Sequence, residues 1–183
     1  MNISNDQLKK MTDDPLAEII YFQVTDLWKR FCEEHTRLFN ATCDEYECLL
    51  DNDINRLEVI IENKQKIINK ISLLEKLRKE VIDNLNETIR NRYSGLLGEN
   101  REISSIKELL IFTTKFENIK NYNHLQRFNN LLVDLIEKIQ EQNKRNQLYI
   151  NKAVRNLDDL KKGIMGERPY KTYNSLGATK YNT

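Results

Sequence analysis

Cys32 and His35 stand one helical turn apart, with Cys43 eleven residues beyond Cys32. A thiolate and an imidazole at that spacing are the beginning of a zinc site. Eleven residues of helix return to the same face about 16 Å further along, so Cys43 cannot join the first pair, and no fourth ligand stands nearby. The same separation forbids a Cys32–Cys43 disulfide, and Cys48 leaves an odd thiol with no framework spacing. The expected roles are small buried apolar groups for the cysteines and a polar seam residue for His35. A carboxylate-bridged di-metal centre needs two Glu-x-x-His motifs. The two histidines, His35 and His124, instead follow Cys32 and Asn121 at that interval. There is no Gly-rich phosphate loop, no Gly-x-Ser-x-Gly elbow and no loop grouping of Ser, His and Asp. Adjacent carboxylates such as Glu33-Glu34 and Asp158-Asp159 point to different helix faces. No catalytic residue, metal or cofactor is expected, and the chain reads as a non-enzyme.

Composition says what elements carry these side chains. The 183 residues include only five Gly and two Pro, and Pro15 and Pro169 leave more than 150 residues between them without a proline. Sheet folds need such residues at most turns, which excludes an all-β or doubly wound α/β protein. Hydrophobic residues at 39% and charged residues at 31% suit long amphipathic helices with much exposed surface. Net charge is +1, with 29 basic and 28 acidic side chains, so no overall field draws the chain to nucleic acid or an anionic membrane. Residues 1–92 carry a net −4 and residues 93–183 a net +5. No basic leader precedes an apolar segment, and no apolar run approaches the ~18 residues of a membrane span. The expectation is a cytoplasmic protein without membrane insertion. The sequons Asn40-Ala41-Thr42 and Asn86-Glu87-Thr88 are then chance matches.

The expected architecture is all-α: a long antiparallel helical hairpin, a short helix and a long C-terminal helix in an elongated coiled-coil-like bundle. A polar arm, 1–13, precedes an acidic N-cap, Asp14, and a first-turn proline, Pro15. Helix one, 15–49, has a seam at Leu16, Ile20, Val24, Leu27, Phe31, His35, Leu38, Thr42, Tyr46 and Leu49. Its 4-4-3 spacing is the eleven-residue repeat, and Ile19, Trp28 and Phe39 widen it. Asp51-Asn52-Asp53 is the corner into helix two, 53–91, whose apolar residues run from Leu57 through Ile61, Ile68 and Leu77 to Ile89. Gly95 to Arg101 is the interior break, after which Ser105 and Glu108 form a capping box for helix three, 105–119. Asn123 and Gln126 are expected to cap helix four, 123–162. Its seam passes through Leu125, Phe128, Leu132, Leu135, Ile139, Asn146, Ile150, Ala153, Leu157 and Leu160 and stops at Gly163. Lys64, Arg78, Gln142, Asn143 and Asn146 interrupt apolar seams, either to fix register or to meet a partner.

Residues 14–162 thus form one helical domain, and 163–183 form a tail without period. Alone it cannot bury enough apolar surface to offset its ordering entropy, so it is disordered or adaptable. It nevertheless keeps Ile164, Met165, Tyr170, Tyr173, Leu176 and Tyr181.

The segment Leu49-Leu-Asp-Asn-Asp53-Ile-Asn-Arg-Leu57, followed by Lys64, Ile68, Ile71, Leu74-Glu75 and Arg78, resembles the hairpin of FlgN-type flagellar export chaperones. Leu135-Ile-Glu-Lys-Ile139 through Gln142-Asn143-Lys-Arg-Asn146 is similar to that family's paired-Asn final helix, and Tyr173-Asn-Ser-Leu-Gly177 to its Tyr/Gly tail. The likeness covers about residues 15–180, and the order of features carries it more than any one motif. A longer polar arm, many Asn and Ile, and aromatic residues in helix one depart from the pattern.

The resemblance implies a cytosolic chaperone for the two hook-filament junction proteins. Such a chaperone binds their helical C-terminal segments and delivers them to the export gate of the flagellar type III apparatus. The residues supply a helix-in-groove mechanism, with Leu157, Leu160, Ile164, Met165, Tyr170, Tyr173 and Leu176 as substrate-protein contacts. A tail that orders only on binding lowers affinity per unit area, which suits a carrier that must release cargo. The expected partners are hook-associated export substrates and a component of the export gate, with weak homo-oligomerisation and no nucleic acid. The alternatives are a structural self-associating coiled-coil scaffold or adaptor and, third, a metal-binding helical bundle.

Overall fold

Asp14 and Pro15 open the first helix. The Asp14 backbone is extended, its carboxylate accepts from the Leu16 N–H at 2.9 Å, and Pro15 sits in the first turn, where no intrahelical donor is needed. The structure, a computed structural model, describes residues 13–97, 103–120, 122–165, 172–173 and 179–180. Residues 1–12, of the expected polar arm, and 98–102, of the expected interior break, lie outside them. The chain is all-α, with α1 Pro15–Asp51, α2 Ile54–Leu97, α3 Ile106–Lys120 and α4 His124–Met165. It divides into two compact units, Met1–Gln142 and Asn143–Thr183.

In the first unit α1 and α2 form an antiparallel hairpin. Asn52 makes the corner in the left-handed region (φ 56°), a conformation Asn tolerates better than most residues, and the Asp53 N–H closes back on the Cys48 carbonyl at 3.1 Å. Asp53 then caps α2 by accepting from the Arg56 N–H at 3.0 Å. Opposite ends of the two helices meet through Arg92 and Asp14, and their tips through Arg56 and Glu47. Between them Lys64 bonds Glu45, both largely shielded from water. Lys64, one of the polar residues that interrupt an apolar seam, thus ties the two helices of the hairpin to each other. Arg78 pairs instead with Glu75 on its own helix.

One core joins the N-terminal half of α1 to the C-terminal half of α2, to α3 and to the start of α4. Val24, Trp28 and Phe31 of α1 pack with Leu85 and Ile89 of α2, Leu109 of α3 and Leu125 of α4. Thr25, Thr42 and Thr113 are buried with hydroxyls donated to carbonyls one turn back, at 2.8 Å each, so they need no partner on another helix. The α1 seam lies on the buried side, with His35, Leu38, Tyr46 and Leu49 half-buried. On α2 the expected seam is only partly covered: Ile67 and Leu74 are buried, while Ile61, Ile68 and Leu77 are exposed.

Three boundaries differ from expectation. α2 continues past residue 91 and through Gly95 to Leu97. A lone glycine costs a helix about 1 kcal/mol relative to alanine, which is a weakening and not a stop. α4 likewise passes Gly163, around which no side chain or foreign backbone lies within 4 Å, and ends at Met165. The capping box of α3 is shifted by one residue on its return arm. The Glu108 N–H donates to Ser105 Oγ at 3.2 Å, but the Glu108 carboxylate accepts from the backbone and hydroxyl of Ser104, at 2.8 and 2.7 Å. These bonds hold its carboxyl below the usual range.

The loop before α3 is tied to α2 by Asn86, whose amide accepts from the Ile103 N–H at 2.7 Å and donates to the Ile103 carbonyl at 3.0 Å. That pairing gives the Asn86 side chain a structural role. In the second unit, residues 143–165 are helical, and Thr172–Tyr173 pairs antiparallel with Thr179–Lys180.

Candidate protein-docking surface

α4, which leaves Leu148, Val154, Leu157 and Leu160 exposed, begins on a buried polar contact. Glu117 of α3 is 3% exposed. Its Oε1 accepts both the Tyr21 hydroxyl of α1 and the Leu125 N–H in the first turn of α4, each at 2.7 Å. This replaces the expected cap: Gln126 bonds Asn130 one turn on, and the donor left open at the helix start goes to Glu117. Burial and the Glu117 carboxylate push the Tyr21 hydroxyl well above its ordinary pKa, so it remains a donor. The Tyr21 ring stacks on Tyr122, with centroids 5.6 Å apart, and the Tyr122 hydroxyl donates to Glu18. Further along, Trp28 Nε1–H donates to Asn129 Oδ1 at 3.3 Å, and the Cys32 thiol to the Phe128 carbonyl at 3.2 Å. The first turns of α4 are therefore anchored to α1 by side chains from three elements.

Along α4 one apolar stripe meets two environments. Leu125, Leu135 and Ile139 are buried, and Asn146, in the same row, is 3% exposed. From Asn151 to Gly163 every residue is exposed. Leu157 and Leu160 continue the stripe yet stand 65% and 60% exposed, with Val154 beside them at 50%. Burying a leucine side chain contributes roughly 1.5–3 kcal/mol, so this row offers a helical partner substantial binding energy.

Of the sequence-derived contact residues, Leu157 and Leu160 lie on this bare row. Ile164 and Met165 belong to the last turn of α4, with side chains outside the described set. Tyr173 lies in the two-residue strand Thr172–Tyr173, its backbone opposite Thr179, whereas Tyr170 and Leu176 fall outside the described residues. The structure brings Leu157 and Leu160 together on one helix face.

A second apolar surface was not anticipated. Between α3 and α4 runs an open groove of about 660 Å³, lined chiefly by Ile106, Leu110, Ile111, Leu132, Val133 and Ile136. Val133 lies off the seam, so periodicity alone marks it as an isolated surface residue. The signal available in the sequence was the apolar pair Leu110-Ile111 facing Leu132-Val133 across a short helix connection.

The groups first considered for chemistry are engaged structurally. His35 Nδ1 lies 2.8 Å from the Phe31 carbonyl, so that nitrogen carries the proton. Burial, reinforced by Glu33, pushes the Cys32 thiol up to about 11, and burial also raises Cys43. Such thiols are poor nucleophiles at neutral pH. Among the described residues no group of three or more His, Cys, Asp or Glu could hold a metal ion. Among them also, no helix is long and apolar enough to cross a membrane.

A family model described as FlgN protein matches residues 21–180, most of the chain. No curated protein and no solved structure matches it.

Proposed function

Because the chain belongs to the FlgN family of flagellar type III export chaperones, we propose that it is a cytoplasmic carrier for the hook-filament junction proteins. It binds their helical C-terminal segments and brings them to the export gate. The bare apolar row of α4, Leu157 and Leu160, carries this reading. A chaperone must present apolar surface that its own fold leaves uncovered, and an amphipathic helix in the cargo is the complementary shape. Ile164, Met165, Tyr170, Tyr173 and Leu176 extend the contact from the tail, and Tyr170 or Tyr173 touches the cargo or the gate. The role requires no catalysis, metal or cofactor, since binding and release are the whole function.

Truncation after Lys162, followed by calorimetry with the C-terminal segment of a junction protein, tests the tail contacts. A loss of at least about tenfold in affinity, equivalent to 1.4 kcal/mol, is expected. Unchanged affinity overturns them. Self-association is a second reading, favoured by Ile54, Ile61 and Ile68, which are exposed at seven-residue spacing on α2. Sedimentation separates the two: a carrier is a monomer or weak oligomer, a scaffold a stable dimer or filament.

A further inference from the structure

The aromatic residues that set α1 apart from the family pattern fall into two groups. Tyr21, Trp28 and Phe31 are buried in the core, while Phe22 is exposed together with Ile19, one turn before it. The Phe22 ring is held by two others, edge-on to Tyr21 with centroids 5.4 Å apart and tilted against Tyr122 at 5.8 Å. At helical spacing Pro15, Glu18, Ile19, Phe22 and Asp26 share about 100° of the α1 surface, so two carboxylates flank the apolar pair on its own face. Residues 13–28 hold four acidic side chains and no basic one. Asp14 is taken by Arg92, and Glu18 Oε1 accepts the Tyr122 hydroxyl at 3.2 Å. Among the described residues neither Glu18 nor Asp26 is in an ion pair. Beyond Asp26, Lys29 pairs with Glu33, which closes the acidic stretch.

We infer that this face of α1 docks a basic helix of another protein, one whose apolar pair is bracketed on the same side by Lys or Arg. Ile19 and Phe22 are the anchors, and a ring already fixed by its neighbours loses little freedom on binding. A cation laid beside Phe22 is attracted to the face of the ring, and Glu18 and Asp26 select its charge. The same carboxylates repel nucleic acid and an anionic bilayer. The chain's own basic stretches do not match this face. At helical spacing Lys9 and Lys10 fall on the side away from Leu8 and Met11, and only Lys161 borders the row of Leu157 and Leu160. That excludes both the N-terminal arm and the α4 row of a second copy as the complementary helix. The residues involved are not those of the α4 row, so the inference stands or falls independently of the carrier reading.

Two synthetic helices of identical composition, in an Ala and Gln background, probe the full-length protein by fluorescence anisotropy. Both carry a Leu pair at i and i+3. One has Lys at i−4 and i+7, on the Leu face, and its isomer has them at i−2 and i+5, on the opposite face. The first is expected to bind at least about tenfold tighter at low salt. The gap closes toward 1 M salt, where the screening length falls to about 3 Å. Glu18→Gln with Asp26→Asn removes the preference, and Ile19→Ser with Phe22→Ser removes binding, with circular dichroism confirming retained helix in both. Leu157→Asp with Leu160→Asp leaves the preference unchanged. Equal binding of the two peptides, or binding of neither, overturns the inference, as does loss in the Leu157 and Leu160 variant with retention in the Ile19 and Phe22 variant. Tighter binding after Lys9→Glu with Lys10→Glu overturns it in favour of the chain's own arm. A dimer in sedimentation that Ile19→Ser with Phe22→Ser dissolves overturns it in favour of a second copy.

Discussion

Replacing Glu117 with alanine removes one carboxylate oxygen that serves two donors from different helices. The Tyr21 hydroxyl and the Leu125 N–H, each 2.7 Å from Oε1, are both left without it in a site where Glu117 is 3% exposed. Hydrogen bonds to a charged acceptor contribute about 1.5–3 kcal/mol each, and stranded buried donors add their desolvation penalty. The expected loss is about 4 kcal/mol, a large share of the roughly 5–15 kcal/mol that holds most domains folded. In a chain of 183 residues that corresponds to about 10 °C in Tm. Urea unfolding followed at 222 nm measures it. Glu117→Gln keeps an acceptor oxygen and is expected to lose less than half as much. Tyr21→Phe removes only one of the two donors, and its coupling to Glu117→Ala in a double-mutant cycle is expected to be about 1–2 kcal/mol. A Glu117→Ala midpoint within about 0.5 kcal/mol of wild type would refute the claim that this carboxylate joins α1, α3 and α4.

Asn52→Ala places a Cβ-hindered residue at φ 56° and is expected to cost about 1 kcal/mol in the same unfolding assay, whereas Asn52→Gly is expected to be neutral or stabilising. Lys64→Met alone removes the cation beside the shielded Glu45 carboxylate and destabilises, while Lys64→Met with Glu45→Leu recovers most of the loss, because a well-packed apolar pair replaces a shielded ionic one. The Cys32 thiol, raised from 9.0 to about 11 in the folded chain, adds a pH dependence of definite sign. Its contribution is fully present below pH 9, and as pH rises toward 11 the unfolded thiol ionises first, so stability falls. Cys32→Ala should flatten that part of the profile measured by denaturation at successive pH values.

Local signals in the sequence translated directly into structure. Asp14 with Pro15 and Asp53 before α2 act through the next two or three residues, so nothing distant was needed to interpret them. Gly95 and Gly163 misled because a glycine weakens a helix without deciding where it ends, and the neighbouring turns decide that. Glu117 was not legible at all. Its partners lie 96 and 8 residues away, and in α3 it reads as one more surface carboxylate. The same limit explains the stripe of α4. Periodicity shows that Leu135 and Leu157 share a face, but only the fold shows that the first is covered and the second bare. The α3–α4 groove stayed hidden because Val133 joins an apolar surface only when α3 is beside it.

Hydrogen exchange of backbone amides, with and without the C-terminal segment of a junction protein, tests the carrier reading most directly. Protection is expected to rise across residues 150–165 of α4, around Leu157 and Leu160, since the free helix is exposed from Asn151 to Gly163. Cargo that protects the α3–α4 groove at Ile111 and Val133, and leaves residues 150–165 exchanging as before, would contradict it.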